Sequence, residues 1–198
     1  PASPRSPIGP PGRPSSTAID LTWRSGGPGR ETPLNTGPLF QYLYVAGRDP
    51  SRATPASGGN IATSDIGPLV SIIEIGGQAP ATSGIRRTLR VVAGADTVEM
   101  DVEIDKIAVR DKESGHLAFP LNIPGGVVRV DLGEALVEPD RHQLPGSNRD
   151  FIGAHSVVDV SNADSGVSIA TLDAPLLQLG AITDERPGEG GTRTWRER

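Results

Sequence analysis

The segment TVEMDVEIDKIAV, residues 97–109, sets Val98, Met100, Val102 and Ile104 in strict alternation with Glu99, Asp101, Glu103 and Asp105. Successive side chains of a strand point to opposite faces, so this two-residue period gathers apolar groups on one face and carboxylates on the other. The segment reads as a half-buried strand. Just upstream, RRTLRVV alternates Leu89 and Val91 with Arg90 and Val92, and AGAD at 93–96 supplies the turn that would close a hairpin. Arg86, Arg87 and Arg90 are then expected near the acidic face. Cross-strand pairs of opposite charge favour such a pairing by roughly 0.2–1 kcal/mol each.

The same grammar recurs along the chain. HLAFPLNIP alternates Leu117, Phe119, Leu121 and Ile123; Gly125 and Gly126 permit a reversal into VVRVDLG, which predicts a second hairpin. HSVVDV, the turn SNADSG and VSIATL predict a third, and PLVSIIEI and PLLQLGAI read as further short strands. No window of a dozen residues carries a helical period. Short strands separated by turn signals point to an all-β fold, an antiparallel β-sandwich or a related sheet structure.

Composition decides where that fold can lie. With 25 Gly and 19 Pro in 198 residues, and 35% apolar residues, the chain cannot be packed evenly along its length. Residues 1–33 are rich in Pro, Gly and Ser and read as a flexible segment, residues 34–182 as the folded domain, and residues 183–198 as a flexible tail. Trp23 and Trp195 fall in these flanks, away from the expected core.

Several functions find no support. The net charge of −5 offers no basic stripe for nucleic acid, and no run approaches the roughly 20 apolar residues that cross a bilayer. There is no cysteine, hence no disulfide and no thiolate metal site. The four alternating acids stand at the spacing of paired glycosidase carboxylates, about 6.8 Å for alternate strand residues, but a solvent-facing strand needs polar groups at those same positions. His116, His142 and His155 are the three histidines, and no two are spaced for a shared local metal site; a zinc centre would have to assemble in space with Asp140, Asp150 or Asp159. No nucleophile elbow, phosphate-binding loop or dinucleotide fingerprint occurs. The residues themselves yield a β-domain and no catalytic constellation.

Three blocks, DKIAVRDKESGHLAFPLNIPGGVVRVDLG, EPDRHQLPGSNRDF and VVDVSNADSGVSIATLDAPLLQLGAI, taken with QYLYVAGRDPS at 41–51, resemble the C-terminal β-domain of the glycoside hydrolase family thirty-eight α-mannosidases, especially bacterial members. The resemblance covers residues 34–182. It implies a large β-sandwich of the galactose-mutarotase-like supersandwich kind, following an α/β catalytic domain and a helical bundle. It also implies retaining hydrolysis of α-mannosides by an aspartate nucleophile and an acid carboxylate, with zinc held by His and Asp. Those groups belong to the family's catalytic domain, whose His-x-Asp pattern does not occur here, so no catalytic or metal residue is assigned in this chain. Zinc is expected in the missing catalytic domain, and the chain alone is expected to be inactive. Strand-like text stops after residue 182 and is lacking before residue 34, so the sandwich is expected to be incomplete at both ends, with uncovered edges that favour self-association. A bacterial setting would favour the cytoplasm.

The connection VEPDRHQLPGSNRDF, residues 137–151, is the place where a contact is expected. Pro139 and Pro145 stop strand pairing, and Arg141, Gln143, Asn148, Arg149 and Asp150 crowd donors and acceptors onto the turn. Such planar groups suit sugar hydroxyls or the carboxylates of a neighbouring domain; they equally suit the bracing of a strand crossing. Gln143, Arg149 and Asp150 are the candidate substrate-binding residues. The expected partners are the chain's own catalytic domain and the oligosaccharide of the intact enzyme. The rival reading, a free-standing carbohydrate-binding or structural β-sandwich, needs an exposed aromatic platform, for which Phe40, Tyr42, Tyr44, Phe119 and Phe151 are the available rings.

Overall fold

The computed structural model describes residues 17–23, 39–47, 49–121, 123–144, 147 and 151–179. In chain order the strands are β1 (Thr17–Trp23), β2 (Gln41–Ala46), β3 (Ala53–Pro55), β4 (Ile61–Ile66), β5 (Val70–Gly77), β6 (Thr82–Val92), β7 (Val98–Lys106), β8 (Glu113–Leu121), β9 (Val127–Asp131), β10 (Leu136–Val137), β11 (Phe151–Gly153), β12 (Val157–Ser161), β13 (Gly166–Ala170) and β14 (Leu176–Leu179). A 3-10 turn at Pro50–Arg52 and one short helix, α1 (Pro139–His142), complete the described elements. The chain is all-β, as the alternation predicts.

Three sheets form. Sheet A runs β11-β14-β1-β8-β2-β3, sheet B runs β10-β9-β12-β13, and sheet C runs β4-β5-β6-β7. All described pairs are antiparallel except those of β1, which is parallel to both β14 and β8. Sheets A and B share one core. Tyr42, Tyr44, Leu117, Phe119, Ile152 and Leu177 of A meet Val128, Val130, Val158 and Val160 of B, and Ile85 with half-buried Leu89, Val102 and Ile104 brings one end of sheet C onto the same cluster. Sheet A is buried on its other face too, where Leu43, Val45 and Ala118 form a second, smaller cluster beside buried His116. A strand buried on both faces loses its alternation and becomes apolar throughout, which is what YLYV in β2 shows.

The first and third predicted hairpins are present, β6 with β7 and β12 with β13. The second is not. β8 has β1 on one side and β2 on the other, so neither of its edges is left for β9. The turn at Pro124 and Gly125, where Gly125 takes φ +66°, carries the chain out of sheet A, and β9 pairs instead with β10 and β12. The segment 1–33, expected to be flexible, contains β1. Thr17–Trp23 is β-branched and aromatic enough to pair, and two waiting edges offset the cost of ordering it. The rest of that segment and the tail 183–198 lie outside the described residues.

Leu177 is fully buried in the shared core, whereas Leu172 is 83% exposed. Leu177→Ala is expected to lower unfolding free energy by about 2–5 kcal/mol, and Leu172→Ala by no more than about 0.5 kcal/mol. Urea denaturation midpoints at constant m-value would check both.

Candidate functional site

The first half of the expected contact loop folds against sheet B. Pro139 opens α1, where its missing N–H costs nothing, and Arg141 and His142 close it. The backbone N–H of Glu138 donates to His142 Nδ1 at 3.2 Å. Gln143 follows the helix half-buried, and its carbonyl oxygen Oε1 is shut off from solvent with no hydrogen-bond partner. An amide oxygen in that position is a spare acceptor that costs free energy until a donor reaches it. Asn148, Arg149 and Asp150 lie outside the described residues. Of the three candidate contacts, then, Gln143 is the one the structure positions.

Beside it, the outer face of sheet B carries a network that the sequence did not single out. The β9–β12 register sets Arg129 directly opposite Asp159. Arg129 Nη1 donates to Ser161 Oγ at 3.0 Å and lies 3.4 Å from Asp159 Oδ2, while its Nε lies 3.6 Å from Glu138 Oε1. Ser168 Oγ donates to the other Asp159 oxygen at 2.8 Å, and Arg141 reaches Glu138 Oε2 at 3.1 Å. Two guanidinium groups thus balance two carboxylates, tying α1 to sheet B. Arg141 of the expected contact set is spent on that brace.

The histidines are scattered. His155 Nδ1 is 3.7 Å from Asp131 Oδ2, and Ser156 Oγ donates to that same oxygen. Ser, His and Asp meet here without forming a nucleophilic triad, because the serine donates to the carboxylate and not to the imidazole. The Ser156 hydroxyl and the Gly133 N–H hold the Asp131 carboxyl below its ordinary range. His142 is engaged in α1, and His116 is buried in sheet A, sharing a 2.9 Å hydrogen bond with Ser114 through Nε2 while Nδ1 has no partner. Among the described residues no group of three or more His, Asp or Glu is placed to hold a metal ion. The alternating acids of β7 face solvent: Arg90 pairs with Glu99 at 2.8 Å and Arg86 with Glu103 at 3.5 Å. Arg87, expected on that face, lies on the opposite one by the two-residue period, and its Nη1 donates to the carbonyl of Phe40 at 3.1 Å.

A second polar cluster sits where sheets A and C meet. Tyr44 Oη donates to Glu113 Oε2 at 2.7 Å, and Lys106 Nζ lies 2.6 Å from Glu113 Oε1. The partners are far apart in sequence, and no local pattern announces them. Burial, the hydrogen bond to Glu113 and its negative charge push the Tyr44 hydroxyl up to about 12. Burial, then Glu113, raises Tyr42 as well. The cluster keeps the Tyr44 phenol neutral as a donor to Glu113, whose second carboxyl oxygen is taken by Lys106.

Sheet C also presents an apolar face. Ile61, Ile73, Leu89, Val91, Val98 and Met100 fall on one side by register, together with Thr63, Asp65, Ser71 and Arg87. The end near the core is covered, but Val98 is 45% and Met100 41% exposed, and Ile61 is 71% exposed. The half-buried strand expected at 98–105 is therefore half-buried only at its Val102 and Ile104 end. Comparisons with protein-family models, curated proteins and solved structures find no match to this chain.

Two pH dependences arise from these environments. Burial pulls His116 down to about 4 from 6.5, so between those values the unfolded chain takes up a proton that the folded chain refuses. Its contribution is present above pH 6.5 and lost as pH falls toward about 4; urea midpoints across that range should fall less steeply in His116→Leu than in the parent. Tyr44 works in the opposite sense, its contribution being present below pH 10 and lost as pH rises through about 12. With two tyrosines in the chain, near-ultraviolet absorbance should show phenolate appearing late, and earlier in Glu113→Gln.

Proposed function

We propose that this chain is the non-catalytic β-domain of a retaining, zinc-dependent α-mannosidase, supporting a catalytic domain that carries the nucleophile, the acid and the metal. The observation that carries this reading is the exposed apolar face of sheet C, continuous with the core at one end and open at the other. The exposed apolar side chains of its β6–β7 half, Val91, Val98 and Met100, belong against another protein surface. In this reading its occupant is the catalytic domain, and the sugar chemistry rests on the motif series from residue 41 to residue 182.

Gln143 gives the loop its part in the same reading. In this reading Gln143 remains the loop contact to the oligosaccharide or the catalytic domain, its enclosed carbonyl oxygen being reached only when the loop shifts. Arg149 and Asp150 remain proposed companions on sequence grounds. The rival carbohydrate-binding module is less well supported, because Phe40, Tyr42, Tyr44 and Phe119 are buried and Phe151 is half-buried, leaving none of these rings as an open stacking platform.

The test has two arms. The purified chain with zinc should release no product from an aryl α-mannoside; turnover abolished by a substitution in this chain would overturn the division of labour. Co-expression with the α/β domain encoded upstream should yield a complex with α-mannosidase activity, and Met100→Asp should weaken its assembly about tenfold or more, near 1.4 kcal/mol, with little change in the melting of the chain alone. An upstream reading frame without a His-x-Asp-bearing domain would sink the proposal.

A further inference from the structure

β1 stands apart from every other described strand. It lies in the middle of sheet A, parallel to both neighbours, with seven residue pairs to β8 from Thr17↔Gly115 to Trp23↔Leu121 and four to β14 from Ala18↔Leu176 to Leu21↔Leu179. Take it away and the sheet divides into β11-β14 and β8-β2-β3, each with an unpaired inner edge. Those edges face each other across two strand spacings, about 9–10 Å, the width of one strand. Each edge is fixed independently of β1: β14 is held by β11 and by Leu177 and Leu179 in the core, and β8 by β2 and by Leu117, Phe119 and Leu121. The slot is therefore defined by the body of the domain, and the strand that fills it comes from an arm.

The connection supports this. Trp23 is level with Leu121 on one side of β8, and Gln41 is level with Ala118 on the other. Two strand spacings across and three residues along make a gap of about 14 Å. Residues 24–40, seventeen in number, join the two, and a chain of that length reaches about 56–60 Å when extended. The connection is several times longer than placing β1 in its own slot requires, so it does not dictate which copy of the segment enters.

We propose that the β14–β8 slot is an acceptor site for an extended strand in parallel register, filled in cis by Thr17–Trp23 and open to the same segment of a second copy of the chain. The slot reads that segment through backbone hydrogen bonds along two edges at once, the logic of strand addition applied to the interior of a sheet. A tether of this order gives its own strand an effective concentration in the millimolar range, so the cis form prevails in dilute solution and exchange appears when the tether is cut or the competing strand is abundant. The inference stands apart from the glycosidase reading and is tested separately from it.

The experiment uses the full chain with a unique protease site inserted between Gly29 and Arg30, cleaved after folding. A fluorescent peptide of sequence PSSTAIDLTWRSG, residues 14–26, is added to cut and uncut protein, and its uptake is followed by size-exclusion chromatography, with amide hydrogen exchange of β8 and β14 as the structural readout. The expected result is saturable uptake by the cut chain, uptake by the uncut chain only at about a hundredfold more peptide or beyond, set by the millimolar tether, and no uptake of peptides carrying Ile19→Pro or Asp20→Pro, which lack a ladder N–H. If the cut chain unfolds when its N-terminal piece is removed, the wild-type peptide should restore its thermal transition and the proline peptides should not. Failure of the cut chain to take up or be restored by the wild-type peptide, or equal behaviour of wild-type and proline peptides, would overturn the proposal.

Discussion

β8 has a backbone partner on each side and side chains buried on both faces, and the rest of the molecule is arranged around that fact. A strand with both ladders occupied cannot form a hairpin with the next strand in the chain. The backbone must therefore leave the sheet at Gly125, and β9 starts a new one. Because Val128 and Val130 need cover, sheet B packs onto sheet A and the two become layers around one core. The same saturation explains why an arm strand is needed at all: without β1, β8 and β14 would each expose a row of unpaired N–H and C=O groups beside a dry core, a cost that buried backbone groups do not tolerate.

Sheet C obeys a different rule. β7 alternates strictly, and across the β6–β7 pair the two faces differ: Glu99, Arg90, Arg86 and Glu103 pair on one, while Met100 and Leu89, with Ile73 of β5, line the other. The apolar side also carries Thr63, Asp65, Ser71 and, beside the core, Arg87. Its guanidinium reaches across to the carbonyl of Phe40, a residue held at φ +62° with its ring buried against Phe119. An aromatic residue in the left-handed region is strained by roughly 1–3 kcal/mol, and the core contact together with the hydrogen bond from Arg87 holds it there. The joint between sheets A and C thus rests on a pair of residues that each break a local rule.

How far the fold could be read in advance depends on the range of the interaction involved. The β6–β7 and β12–β13 hairpins were legible because their information is local: a two-residue period, a turn, and complementary charges within a few residues. Sheet membership was not, because whether β8 pairs with β9 depends on β1 and β2, which lie far away in the chain. β1 was hidden by its Pro- and Gly-rich surroundings, since seven residues of TAIDLTW are too few to shift the composition of a window. In the loop, Gln143 could be singled out as a polar group at a turn, but the Arg129 network needed the β9–β12 register, and Glu113 meets Tyr44 across 69 positions.

The distribution of satisfied and unsatisfied groups also says where association energy can come from. On the outer face of sheet B, Arg129, Asp159, Ser161, Ser168 and Glu138 already bond to one another, so a ligand there would exchange existing contacts for new ones and gain little. Gln143 Oε1 can contribute one hydrogen bond, about 0.5–1.5 kcal/mol net. The open end of sheet C is of another order. Completing the burial of side chains such as Val91, Val98 and Met100 gains about 25 cal/mol per Å² of apolar surface, or a sizeable fraction of the roughly 1.5–3 kcal/mol that full burial of each would bring. The exposed apolar side chains of sheet C therefore offer more association energy than the polar loop. The difference follows from geometry: the polar groups of sheet B face one another across a register that satisfies them, whereas Val91, Val98 and Met100 have no described side chains packed over them at that end of sheet C.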